Sequence, residues 1–437
     1  MEGMSDVMGE NAFTEKVEVF SHDFLKCCEY LTHFENEHPF FTKKLYSTLV
    51  NVSQLLEDLL DIHGAKNNKD WYFYRELAAA VRHLSLAGYS QRHISNRLSF
   101  YNLSSIGDFQ RDGQNTLAFL NRTLIRMAPV ILAEASHLNI PMPQDRFKDV
   151  DFMSVSTGFI LDYNIDDENK DRQKENIVKI ASEFLDIVKS FDQFIFYKPY
   201  DTRETLNVVS DKVNEVEIRR FEMLLHNLQS SFDTYVIHGG YQYGNRKLKE
   251  LRSSFSVVFH LLQMMGRLLH FYERHLYDAG YKNTYKNARE RLASLIDPNQ
   301  LLDHTINYSL RYVCRFLKNG ETLARQILNE NIERDSITVN IPRNLGFHCR
   351  PSLLVAKIVQ HYGGQVELCF GASRFDAGSV LNIQWAGGQI QKENITEVRF
   401  EGDARALTDI KILAGVNYGE DTMGKGVPLP AELKYLK

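Results

Sequence analysis

Several features that define other protein classes are scarce in this 437-residue chain. It has only five cysteines, none in CxxC spacing, which argues against a disulfide framework or a zinc knuckle and favours a reducing compartment. The first residues lack a basic segment followed by an apolar one, so we expect no signal peptide. The most apolar run, residues 256–272, is interrupted by His260, Gln263 and Arg267 and is shorter than the roughly 20 residues of a membrane span. We therefore expect a buried helix there, no membrane span and a cytoplasmic protein.

Strong charge is also missing, because the net charge is only -5. This balance argues against a dedicated nucleic-acid partner. One segment, residues 71–101, does mix aromatic residues with Arg75, Arg82, Arg92 and Arg97. Two interpretations are open for it: a basic face for an acidic or nucleic-acid partner, or a packed amphipathic helix with a solvated face. A hydrophobic content of 43% is enough for a large core, and the length favours two or three domains.

Up to about Asn331 the apolar residues recur at intervals of three and four, which is typical of amphipathic helices. This pattern predicts a large all-α region over residues 1–330, either one bundle or two sub-bundles that meet near residues 141–143. The clearest stripes are Phe24, Cys27, Cys28, Leu31 and Phe34; Leu55, Leu56, Leu59 and Ile62; and Ile177, Ile180, Ala181, Phe184, Ile187, Val188 and Phe191. The sequence does not indicate what this region does.

Histidines in the helical region show no metal-binding motif. His270 and His275 are five residues apart, a spacing that places them on different sides of an α-helix, and the H-E-x-x-H pattern is absent. Cys27 and Cys28 follow helical spacing and are predicted to be core residues, not ligands. No metal and no cofactor are predicted.

After residue 335 the pattern changes from helical spacing to alternation. Ile337, Val339 and Ile341 alternate with polar residues, as in a half-buried strand. The pattern then continues as helix, strand, short strand, helix, strand and helix. Residues 336–437 are thus predicted to form a separate small α+β domain of order β-α-β-β-α-β-α, an open-faced sandwich with its helices on one side of the sheet.

The stretch LGFHCRP, residues 345–351, joins the first strand of this domain to its first helix. Glycine permits an unusual turn, and proline is tolerated in the first turn of a helix. His348 therefore stands at a helix start, where unpaired backbone N–H groups favour an anion. Arg350 adds planar donors suited to phosphate oxygens. A neutral imidazole beside such a cradle is a candidate to accept a phosphoryl group and pass it on.

Residues 336–421, with GFHCRPS, GSVLNIQ and FEGDARALTDIKILAGVNYGED, resemble the histidine-containing phosphocarrier protein HPr of the bacterial sugar phosphotransferase system. The resemblance implies an HPr-like fold with His348 as the phosphorylated residue. Arg350 and the backbone amides of Cys349 and Arg350 would bind the phosphate. Ser379 matches the family's regulatory serine. The implied partner-binding face consists of Phe347, Cys349, Val380 and Leu381.

Two functions follow from this resemblance. In the first, the protein is a phosphocarrier or a phosphorylation-responsive signalling regulator, a group carrier more than a true enzyme. Its implied partners are an Enzyme I-like phosphohistidine donor, a phosphoacceptor protein and HPr kinase. In the second, it is a non-catalytic scaffold whose HPr-like domain only docks partners.

Overall fold

The computed structural model describes residues 10–33, 41–101, 103, 106–154, 173–194, 196, 198–237, 246–277, 282–421 and 423–436. The protein is mostly helical and has a small antiparallel sheet near its C-terminal end, as predicted. The helices that precede the sheet are α1 Glu10–Thr32, α2 Lys43–Ile62, α3 Tyr72–Arg97, α4 Gly107–His137, α5 Gln173–Phe191, α6 Thr202–Asp211, α7 Glu215–Phe232, α8 Arg246–Phe271, α9 Asn283–Leu295, α10 Pro298–Asp303 and α11 Arg311–Asn331.

The described residues belong to two compact units. One comprises residues within 1–164, 191–227 and 252–317, and the other residues within 165–190, 228–251 and 318–437. The second unit therefore contains the C-terminal α+β fold together with parts of α5, α7, α8 and α11. Inside this unit the Gln365 N–H donates to Asn329 Oδ1 of α11 over 2.8 Å. The predicted boundary between residues 330 and 336 stays a prediction.

Two of the three apolar stripes form buried helix faces as predicted. The stripe from Ile177 to Phe191 is buried throughout, and so is the α1 stripe from Phe24 to Leu31; Phe34 lies outside the described residues. Burial raises the pKa of the Cys27 thiol to about 12, as fits a core residue. The α2 stripe is wrong in part, because Leu55 is 56% and Ile62 80% exposed.

One of the four arginines of residues 71–101 is turned into the protein. Arg75 is buried in α3, where its guanidinium contacts Glu57 and Asp61 of α2 and its neighbour Glu76. These ion pairs also explain why the apolar stripe predicted on α2 is only partly buried, since Glu57 occupies a buried position on that helix. The segment is a packed amphipathic helix, as one of the two interpretations expected, and the buried Arg75 cannot belong to a basic face.

The expected separation of His270 and His275 is wrong as well. The α8 helix passes into a π-helical segment over Tyr272–Tyr277. A π-helix bonds residue i to i+5, so a five-residue step returns close to the same side of the axis. The two side chains accordingly lie close together, with a ligand nitrogen of each within 4.8 Å of the other.

The predicted buried helix over residues 256–272 is confirmed by α8, whose apolar residues from Val257 to Phe271 are buried. Among the described residues one helix, α4, is long and apolar enough to cross a membrane, and 50% of its most apolar window is buried. Core helices share these properties, so the absence of a membrane span and the cytoplasmic location stay predictions.

The C-terminal region has the predicted element order. It consists of β1 Arg334–Asn340, α12 Cys349–Tyr362, β2 Val366–Phe370, β3 Ser373–Asp376, α13 Val380–Lys392, β4 Glu397–Asp403 and α14 Ala404–Gly415. The sheet order is β1-β4-β2-β3, and every neighbouring pair is antiparallel. The loop that leaves β1 is held near the loop that follows α14, because the Arg343 N–H donates to Asn417 Oδ1 over 3.0 Å.

The sheet has one apolar and one polar face. Leu368 of β2 and Phe400 of β4 are fully buried against apolar residues of α12, α13 and α14. On the opposite face Arg374 donates to Glu367 and Glu401 over 2.9 and 2.7 Å. The three helices therefore lie on one side of the sheet, as the alternation in the strands predicted.

Candidate functional site at the start of helix α12

His348 is the residue that caps the N-terminus of α12, with extended backbone angles. Leu345 and Gly346 precede it with φ of 50° and 58°, a left-handed turn that glycine adopts without strain. The Ser352 hydroxyl donates to the Phe347 carbonyl over 3.0 Å, and the Ser352 N–H donates to the His348 carbonyl over 3.1 Å. These bonds fix the turn and place the imidazole at the helix entry, as the sequence predicted.

Phe347 corrects one part of the predicted partner-binding face. Its side chain is only 2% exposed, and its ring packs edge-on against Phe400 and Tyr418. An aromatic ring that is buried in the core cannot present a docking surface. Phe347 instead anchors the turn that carries His348.

Glu420 is the functional residue that sequence reasoning missed. Its carboxylate is buried, and both oxygens lie 3.0 Å from His348 Nε2. The Nε2–H of a neutral imidazole can donate to this carboxylate, which leaves the lone pair on Nδ1. Among the described residues none hydrogen-bonds to His348 Nδ1, and the side chain is 30% exposed. The imidazole is thus held at one nitrogen and open at the other.

A tight turn positions Glu420. Asn417, Tyr418 and Gly419 all have positive φ, and the Asn417 side-chain amide donates to the Glu420 carbonyl over 3.1 Å. Glu420 then pairs with Gly426 in an isolated β-bridge. The chain therefore turns back sharply after α14 and carries the carboxylate under the imidazole, 72 residues away in sequence.

Arg350 shares this carboxylate with His348. Its Nη1 lies 3.9 Å from Glu420 Oε1 and donates to the Gly424 carbonyl at the long distance of 3.5 Å. The guanidinium is half-exposed, so most of its five donors remain accessible to a ligand. The predicted phosphate-binding arginine and the predicted phosphorylated histidine are brought together on one side of the helix start.

The two predicted backbone donors are also in place. Within the part of the chain that the structure describes, the N–H groups of Cys349 and Arg350 donate to no protein acceptor. They belong to the first turn of α12, where such groups face an incoming anion. The exposed Cys349 thiol accepts a hydrogen bond from Gln384 of α13 over 3.2 Å.

Helix α13 lies beside this site and presents apolar side chains to solvent. Leu381 is 75% and Trp385 72% exposed, one helical turn apart, while Val380 is half-buried. Trp385 was missed in the sequence, although its four-residue step from Leu381 falls on the face opposite the buried Ile383 and Ile390. Three of the four predicted docking positions are therefore accessible.

Ser379 caps the N-terminus of α13. Its hydroxyl accepts a hydrogen bond from the Asn382 N–H over 3.3 Å. This is the ordinary role of a serine at a helix start. Phosphorylation at Ser379 stays a prediction.

Comparison with known proteins adds no assignment: no protein-family model, no curated protein and no solved structure matches this chain. The geometry of the site is therefore the basis for any functional conclusion.

Proposed function

We propose that the C-terminal α+β fold is an HPr-like phosphocarrier domain of a bacterial phosphotransferase system. In this proposal His348 accepts a phosphoryl group from an Enzyme I-like phosphohistidine donor and passes it to a partner protein. The observation that carries the proposal is the arrangement at the helix start, where Glu420 holds one imidazole nitrogen of His348 and the N–H groups of Cys349 and Arg350 have no protein acceptor among the described residues. The domain acts as a carrier of the group, since it returns to its starting state after each transfer.

The transfer step follows from the fixed tautomer. The Nδ1 lone pair of His348 attacks the phosphorus atom as the P–N bond of the donor phosphohistidine breaks, and the donor imidazole keeps that bonding pair. The His348 ring then carries a proton on Nε2 and the phosphoryl group on Nδ1, which makes it cationic. The Glu420 carboxylate at 3.0 Å stabilises this cation. Transfer to the acceptor reverses the step.

The phosphoryl oxygens gain charge-assisted hydrogen bonds in the same position. The N–H groups of Cys349 and Arg350 and the guanidinium of Arg350 are donors that need little reorganisation. Transfer between proteins also needs a docking surface. We assign this role to Cys349, Val380, Leu381 and Trp385, which border the site on α12 and α13.

Phosphorylation then has a direct effect on docking. The phosphoryl group carries roughly one and a half to two negative charges, by analogy with other phosphorylated side chains, and the cationic ring offsets about one of them beside this apolar surface. In this proposal the protein is a signalling regulator and the helical region is its output module. The affinity of the protein for its partner then depends on whether His348 is phosphorylated. A second phosphorylation, of Ser379 by HPr kinase, would add charge at the N-terminus of α13.

A phosphotransfer assay tests the proposal. The full chain is incubated with Enzyme I and phosphoenolpyruvate, and acid-labile, base-stable phosphate is measured. Wild-type protein should be labelled and His348→Ala should not. His361→Ala is the matched control because His361 lies at the far end of the same helix and should leave labelling intact. If the wild-type chain is not labelled and binds its partner as tightly as His348→Ala does, the domain is a non-catalytic docking module.

A further inference from the structure

Three histidines in the first unit converge on one point. His83 lies on α3, His270 at the end of α8 and His275 in the π-helical segment that follows. One ligand nitrogen from each lies within 4.8 Å of the others. All three belong to the same compact unit. The site depends on the π-helical segment, because an α-helix would separate His270 from His275.

A carboxylate lies against Nδ1 of two of the rings, as a hydrogen bond for His275 and as a close charge contact for His270. His275 Nδ1 lies 2.7 Å from Glu76 Oε2, and His270 Nδ1 lies 2.8 Å from Glu215 Oε2. A carboxylate that accepts from one ring nitrogen fixes the tautomer and leaves the lone pair on Nε2. The same arrangement supports histidine ligands in metal sites, where the carboxylate raises the basicity of the ligand.

The third ring contains a buried nitrogen without a partner. His83 is only 1% exposed, and among the described residues none hydrogen-bonds to its Nδ1. Its Nε2 faces the Arg82 guanidinium at 3.1 Å. Buried polar atoms in native proteins are normally paired, so an unpaired imidazole nitrogen beside two other imidazoles is an independent sign of a missing ligand.

We propose that His83, His270 and His275 bind one divalent transition-metal ion of the Zn²⁺ class through three imidazole nitrogens. Imidazole is the ligand that suits Zn²⁺ and its neighbours in the first transition row, and a three-histidine set leaves a coordination position open for water or a small ligand. The carboxylates of Glu76 and Glu215 supply negative charge behind the ligands.

Binding requires a local adjustment. Zn–N bonds of about 2.0–2.1 Å in a tetrahedron place the nitrogens roughly 3.4 Å apart. The His83 and His270 rings, whose centroids are 4.4 Å apart, must turn out of their stacked arrangement. Coordination through His83 Nδ1 places the ring proton on Nε2, which then no longer accepts from Arg82. Arg82 keeps the ion pair of its Nε with Glu57 at 3.0 Å.

Metal titration of the tag-free full chain, stripped with a chelator, tests this inference. Zn²⁺ and Co²⁺ are the probes, with retained metal measured after dialysis and the visible bands of Co²⁺ reporting nitrogen coordination. We expect one ion per chain. His270→Ala or His275→Ala should weaken binding at least tenfold, while His260→Ala, on the same helix α8, should leave it unchanged.

Glu215→Gln provides a second variant that keeps all three ligands. It should weaken metal binding about 10- to 100-fold through the loss of the carboxylate behind His270. Circular dichroism of each variant checks that it is folded. The proposal is overturned if the wild-type chain retains no stoichiometric metal, or if His260→Ala loses as much affinity as His270→Ala.

Discussion

His348 and two of the three clustered histidines each lie against a carboxylate, but in opposite surroundings. In each unit a carboxylate holds one nitrogen of an imidazole: Glu420 for His348, and Glu76 and Glu215 for His275 and His270. His348 stands at a helix start and is partly exposed, whereas His83 and His275 are buried between helices. The histidine–carboxylate pair alone therefore does not determine the chemistry of a site. Open backbone donors around one ring favour group transfer, and convergence of three rings favours a metal ion.

The largest expected effect is on stability and concerns Phe347, the buried residue that anchors the turn carrying His348. Phe347→Ala should lower the unfolding free energy of the C-terminal fold by about 3–5 kcal/mol, because it removes a buried aromatic ring. Leu381→Ala, at the solvent-exposed position of α13, should change it by less than about 0.5 kcal/mol. Urea unfolding measures both. Equal losses for the two variants would contradict the assignment of Phe347 to the core.

Removal of the guanidinium tests whether donors, and not the histidine–carboxylate pair alone, support transfer. Arg350→Ala should slow labelling of His348 by about 10²–10³-fold, the usual cost of losing one charged donor to the reacting group. Arg350→Lys should recover part of the rate, because it keeps the charge but not the planar donors. An initial rate for Arg350→Ala within twofold of wild type would show that the phosphoryl group does not contact this residue.

Replacement of the Glu420 carboxylate tests whether the histidine–carboxylate pair contributes to phosphoryl transfer. Glu420→Gln should reduce the labelling rate of His348 about 10- to 100-fold, because the amide neither fixes the tautomer nor offsets the charge of the phosphorylated ring. The rate should fall while circular dichroism stays unchanged. Faster or equal labelling would mean that Glu420 inhibits or is irrelevant to transfer.

The smallest effect is expected at Ser379. Ser379→Ala should cost roughly 1 kcal/mol of unfolding free energy through loss of the helix cap. The labelling rate of His348 should not change, since Ser379 lies at the start of the other helix. A large drop in that rate would place Ser379 within the transfer site itself.

Local patterns predicted the elements of the C-terminal fold and the position of His348, because alternation, helical spacing and the Gly-x-His-x-Arg-Pro turn are all short-range signals. Glu420 could not be found in this way. Its contact with His348 forms across 72 residues through a turn with three successive positive φ values. The buried position of Phe347 was missed for the same reason, since its packing partner Tyr418 belongs to that turn.

In the helical region the spacing of apolar residues did not predict every buried side chain. The α2 stripe was misplaced because a buried ion-pair network around Arg75 selects Glu57 for the interior over Leu55. The histidine cluster was missed because the spacing argument assumed an α-helix, and the π-helical segment has no simple pattern in the sequence. The first error arises from buried polar groups and the second from a change of helix type, and apolar periodicity reports neither.

The most direct test of the central claim is ³¹P NMR of the full chain after incubation with Enzyme I and phosphoenolpyruvate. The site geometry predicts one phosphoramidate signal, coupled to Nδ1 of ¹⁵N-labelled His348 and lost in His348→Ala. Absence of that signal in the wild-type chain, or its persistence in His348→Ala, would contradict phosphoryl transfer through His348.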